Sequence, residues 1–142
     1  MNKAIVSLLA IAAVGLSGLA ASAQELSKAP AGAKVSLVEP KNGDTVSSPF
    51  KVKFGLEGME ISPAGTEKPN SGHHHLLINQ KLADPKAAIP ADDTHKHYGK
   101  GQTEAEITLP AGKHTLQLVL GDHNHIPHDP IVQSEVITIT VK

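Results

Sequence analysis

Phe50-Lys51-Val52-Lys53-Phe54-Gly55-Leu56 alternates apolar and polar side chains almost without a break. Phe50, Val52, Phe54 and Leu56 share one face, and Lys51 and Lys53 share the other. That period of two marks an antiparallel strand with one face buried and one in water. The same pattern recurs along the chain. Ala105, Ile107 and Leu109 form an inward face that stops at the Pro110-Ala111-Gly112-Lys113 turn, and Leu116, Leu118 and Leu120 resume it. Ile137, Ile139 and Val141 alternate with Thr138 and Thr140 near the end. Upstream, Val35 to Val38 is a short strand that ends at Pro40, followed by the turn cluster Asn42-Gly43-Asp44.

Between these segments, the Gly- and Pro-rich stretch 57–72 reads as a loop and 74–79 as the next strand. The interval 80–101 is too long for a structureless connection in a compact domain, so a further short strand is expected near 94–98. The strands then fall at 35–38, 50–56, 74–79, 94–98, 104–109, 114–121 and 135–141, with no helical periodicity. This predicts an all-β fold, a single immunoglobulin-like β-sandwich of about seven short antiparallel strands. Its expected core is Phe50, Val52, Phe54, Leu76, Ile78, Leu116, Leu118, Leu120, Ile137 and Ile139.

Met1 to Ala23 stands apart from that pattern. Lys3, the apolar run from Ala4 to Ala13 and the closing Ala21-Ser22-Ala23 have the layout of a secretory signal cut after Ala23. Residues 24–33 then read as a flexible leader and 34–142 as the domain. Cleavage would leave 119 of the 142 residues, one domain with one core and no membrane span. The expected location is the periplasm. The chain has no Arg and no Cys. Without Arg or a basic patch, nucleic-acid binding is not expected, and without Cys there are no disulfides, thiolate metal sites or cysteine nucleophiles.

Histidine is what the mature chain has in abundance: nine residues. Three His-x-His pairs occur, His73/His75, His95/His97 and His123/His125, with Asp122 and His128 beside the third. In a strand, residues i and i+2 point the same way about 7 Å apart, so paired imidazoles can converge on one ion. In an immunoglobulin-like sandwich, the connections around 57–72, 99–103 and 122–134 lie at one end. That places all three pairs at a single rim. His73, His75, His123 and His125 are the expected metal ligands, with His128 or Asp122 next and His95 and His97 as further candidates. His74 shares a face with Leu76 and Ile78 and is expected to pack in the core edge. His114 belongs at the opposite end. Met59 is read as a packing residue.

Pro40-Lys-Asn-Gly-Asp-Thr-Val-Ser-Ser-Pro49, Gly72-His-His-His-Leu-Leu-Ile78, Gly101-Gln-Thr-Glu104 and Gly121-Asp-His-Asn-His-Ile-Pro-His-Asp-Pro130 resemble a family of small secreted bacterial proteins known as a domain of unknown function. A second resemblance is one of layout. Leu109-Pro-Ala-Gly-Lys113, through Asp122-His123 to the last strand, is similar to the CopC-type periplasmic copper-binding proteins. That resemblance implies a copper-side pair of Asp122 with His123 or His125. Those proteins take an N-terminal His as a ligand, whereas cleavage here leaves Gln24, so the His73–His75 run would stand in for it.

The expected function is a periplasmic metal-binding protein that handles copper or zinc through a histidine cluster at one end of the sandwich, with a periplasmic partner of unknown identity. The alternatives are a metalloenzyme with superoxide dismutase-like copper/zinc chemistry and a non-catalytic envelope interaction module with a pH-sensitive histidine surface.

Overall fold

The computed structural model describes residues 25–142 together with Gly15, so the expected signal peptide, 1–23, otherwise lies outside the described residues. Nine strands follow in order: β1 (Lys34–Glu39), β2 (Thr45–Val46), β3 (Phe50–Glu57), β4 (Glu60–Ile61), β5 (Ser71–Ile78), β6 (His95–Tyr98), β7 (Glu104–Ile107), β8 (Gly112–Gly121) and β9 (Ile137–Val141). A three-stranded sheet of order β1-β3-β7 faces a six-stranded sheet of order β2-β9-β8-β5-β4, in which β6 also pairs with β5. This is the expected immunoglobulin-like β-sandwich. The seven expected strands are all present and pair antiparallel. Two-residue β2 and β4 are added, parallel to β9 and β5 respectively. Among the described residues, no helix is long and apolar enough to cross a membrane.

Alternation builds the core. All ten expected core residues are buried, and they belong to one cluster between the sheets that also takes in Val35, Tyr98, Ile107, Val132 and Val141. Each fully buried Leu, Ile or Phe contributes about 1.5–3 kcal/mol of transfer free energy. Strand β5 departs from the alternation, because all eight of its residues are buried. Its even positions, His74, Leu76 and Ile78, face the core. Leu77 on its other face joins Val119 and Ile89 in a second, smaller cluster, with Leu82 and Ile131 against it. The 79–94 and 122–133 segments thus cover the outer face of the larger sheet.

Two boundaries differ from expectation. Strand β5 begins at Ser71 rather than residue 74, so the three consecutive histidines lie within the strand. The leader is also anchored where free chain was expected. The N–H of Ala29 donates to the Asp129 carbonyl at 3.1 Å, the N–H of Asp129 donates to the Ser27 carbonyl at 2.9 Å, and Lys28 pairs with the Asp129 carboxylate at 2.9 Å.

Candidate metal centre

Strand geometry separates the histidines of β5. His73 and His75 project from the outer face with Leu77, while His74 projects inward onto Phe54, with ring centroids 4.9 Å apart. The antiparallel pairing of β5 with β6 places His97 opposite His75, so its side chain emerges on the same outer face. On the other side, β8 places Gly121 opposite His73 and Val119 opposite His75. The fourth imidazole comes from the turn after β8. That turn closes through the N–H of Asp122 on the Ile126 carbonyl and the N–H of His125 on the Asp122 carbonyl, both at 2.9 Å. His125 adopts a left-handed backbone, φ +64°.

His73, His75, His97 and His125 each offer one ring nitrogen, and these four atoms all lie within 4.8 Å of one another. His73 Nε2 is the hub: it lies 2.9 Å from His75 Nε2, 3.0 Å from His125 Nδ1 and 3.2 Å from His97 Nε2. A ring nitrogen carries one hydrogen or one lone pair, so it can satisfy only one of three such neighbours well. The remaining lone pairs crowd each other in a buried setting, and a cation placed among them removes that conflict. The spacing suits one ion, because nitrogens bound at about 2.0–2.1 Å in a tetrahedron stand about 3.3–3.4 Å apart. The residues present therefore fit a metal ion.

The electrostatics agree with the geometry. Burial, reinforced by the neighbouring imidazoles His97 and His125 and opposed by the Asp122 carboxylate, lowers the His73 pKa to about 4. Burial and the surrounding histidines bring His75 to about 2, and burial with His125 lowers His97. All three are then neutral near pH 7, the form in which imidazole binds metal. The Nδ1 atoms of His73 and His75 are buried without a partner. The carboxylate or carbonyl that commonly braces a metal-bound histidine from behind is missing at both. Strand pairing and the contacts at Nε2 set their direction.

Space for the cluster is made by two glycines that the sequence reading did not single out. A methyl group at Gly121 would sit 2.6 Å from His75 Nε2, and one at Gly99 would sit 2.6 Å from His97 Nε2. The signals in the sequence are a glycine two residues after His97 and a glycine at the end of the strand that follows the Pro-Ala-Gly turn.

The other candidates are placed elsewhere. The cluster lies on the outer face of the larger sheet and draws on four histidines, not on the three whole pairs expected at a single rim. His123 does not join it. The chain leaves the ladder after Gly121, so the strand rule that residues i and i+2 share a face no longer holds, and His123 Nε2 meets the Asn124 side chain at 3.0 Å. His128 is buried with Nε2 on the Ser71 carbonyl at 3.1 Å. Asp122 does not reach the donor group. Its carboxylate takes the Ser27 hydroxyl and the N–H groups of Asn124 and Ile126. Burial would raise its pKa, but these hydrogen bonds outweigh burial and lower it. The copper-side pair carried over from the CopC layout therefore does not form through Asp122. His95, opposite Leu77, turns its Nδ1 to Asp92 at 2.7 Å. His114 stands at the far end as expected, its ring held by Asn79 at 2.9 Å and the Pro110 carbonyl at 2.8 Å.

Among solved structures, the chain is similar to the endo-beta-1,4-mannanase from Thermotoga petrophila at 15% identity and TM-score 0.43, over 78% of this chain and 20% of that one. The chain thus spans about a fifth of that enzyme's length. It is also similar to the fibronectin(III)-like modules of Clostridium thermocellum CbhA at 12% identity and TM-score 0.37, over 75% of this chain and 92% of that one. No curated protein matches the chain in sequence. Residues 52–142 match the family described as Domain of unknown function (DUF4399), and the chain belongs to that family.

Proposed function

We propose that this protein is a periplasmic metal-binding protein that takes up one copper or zinc ion through His73, His75, His97 and His125. The observation that carries the reading is the crowding of three ring nitrogens within 2.9–3.2 Å of His73 Nε2. Hydrogen bonding within the cluster cannot satisfy that arrangement, and a cation can. The donor set selects the class of ion. Calcium and magnesium want oxygen ligands, and none is offered. Imidazole suits zinc and copper, with Cu(II) bound most tightly in the intrinsic order and Zn(II) as the close competitor. Four protein nitrogens fill a tetrahedral shell and leave no position for a reacting water, which favours holding and delivering the ion over catalysis. The signal-like N-terminus supports the periplasmic assignment.

The test is metal analysis of untagged protein isolated from the periplasm, followed by titration of metal-free protein with Cu(II) and Zn(II) at pH 7. One equivalent is expected per chain. Replacing His75 and His125 together with Ala should abolish tight binding, and His114→Ala should leave it intact. One equivalent still bound with unchanged affinity by the double variant would overturn the proposal.

A further inference from the structure

Of the four donors, His73, His75 and His97 sit on strands whose pairing aims them. His125 sits in a turn, at a positive φ that residues other than glycine seldom adopt. Something must hold it there. The residues on either side of it, Asn124 and Ile126, both donate their N–H to one atom, Asp122 Oδ1, at 2.8 and 3.0 Å. The other oxygen, Oδ2, accepts the Ser27 hydroxyl at 2.6 Å across 95 residues of sequence. Ser27 is in turn fixed by the paired backbones of residues 27–29 and Asp129.

We infer that Asp122 and Ser27 are positioning residues of the metal centre. Asp122 pins the turn from both sides of His125, and Ser27, from the start of the described chain, locks the carboxylate in the orientation that does so. The inference rests on the reading of the four-histidine cluster as a metal site. It makes the N-terminal segment part of the machinery that sets metal affinity, although none of its side chains is a ligand.

The experiment is a thermodynamic cycle on full-length mature protein, read by Co(II) and Cu(II) titration and by the visible spectrum of the bound ion. Asp122→Ala should weaken binding by about tenfold or more, the range typical when the support of a ligand is removed. Its spectrum should shift toward that of His125→Ala. Asp122→Asn keeps an oxygen for the two N–H groups and should restore most of the affinity, and Ser27→Ala should show a smaller loss of the same kind. In a His125→Ala background, Asp122→Ala and Ser27→Ala should cost nothing further, because their effect runs through His125. Losses that add in full to that of His125→Ala, or wild-type affinity and spectrum in Asp122→Ala, would overturn the inference. Should Asp122→Ala fail to fold, Ser27→Ala and Asp122→Asn complete the same cycle. Failure of the wild type to bind either ion would instead sink the metal-site reading itself.

Discussion

His73 and His74 are neighbours in one strand, equally buried, and opposite in use. His73 points outward and meets three other ring nitrogens, while His74 points inward onto Phe54 and meets none: both of its ring nitrogens are buried without a partner. Residue type and burial are the same, so neither makes a ligand. What separates the two is the strand alternation and what each face of the sheet meets. The inner face meets the apolar side chains of the opposite sheet. The outer face meets an edge strand and a turn that each supply an imidazole. A histidine-rich run is therefore not one functional unit but two, interleaved residue by residue.

On the outer side of β5 the effect is on metal affinity. His73→Ala removes the nitrogen about which the other three gather, and it should weaken Cu(II) or Zn(II) binding on the order of a hundredfold or more. His74→Leu, one residue away, should keep metal affinity within about threefold of wild type, since it touches no donor. Calorimetric or competition titration of both variants measures the contrast. Equal losses from the two would mean that the faces are not independent.

Smaller effects are expected from filling the space around the ligands. Gly121 lies on the ladder of β8 with little freedom to move, so Gly121→Ala should displace the His75 ring and lower affinity by about tenfold. Gly99→Ala presses instead on the ring of His97, which is only half-buried on the short strand β6, and several-fold is expected there. A Gly99 variant weaker than the Gly121 variant would invert this ranking and make the edge strand, not β5, the rigid half of the site.

The apolar half of this comparison was legible in the sequence. The alternation in β3, β8 and β9 placed eight of the ten named core residues, and the other two, Leu76 and Ile78 in β5, put His74 on the inner face. The ligand half was legible only where strand periodicity applies. His73 and His75 share a face because they are two residues apart in a ladder, but the same rule fails for His123 and His125, which lie in a hydrogen-bonded turn. That His97 joins the cluster and His95 does not depends on the register of β6 against β5, set by non-local pairing that no local pattern encodes. That the outer face of β5 is covered, so that histidines on it are buried, was equally hidden. It follows from the 79–94 and 122–133 segments folding back over β5, which the sequence shows only as loops with a few scattered apolar residues such as Leu82, Ile89 and Ile131.

On the inner side of β5 the effect is on stability. Burying a polar group without a hydrogen bond costs about 1–3 kcal/mol, and His74 buries two ring nitrogens that way. His74→Leu removes that cost but loses some contact with Phe54, so a net gain of about 1 kcal/mol is expected at pH 7. In a domain of this size, that corresponds to roughly 3–6 °C in melting temperature. The gain should grow in acid. Burial lowers the His74 pKa from 6.5 to about 4 in the folded protein. Between those values the unfolded chain takes up a proton that the folded chain refuses, so wild-type stability falls as pH drops from about 6.5 toward 4, and levels off for this group below that. Leu at position 74 cannot contribute to that fall. Urea denaturation of the metal-free proteins at pH 7 and pH 5 should therefore show His74→Leu above wild type at both, with the wider margin at pH 5. A margin that closes on acidification would mean that the ring is hydrated or partnered in solution, and that the inner face of β5 is not the dry surface its packing implies.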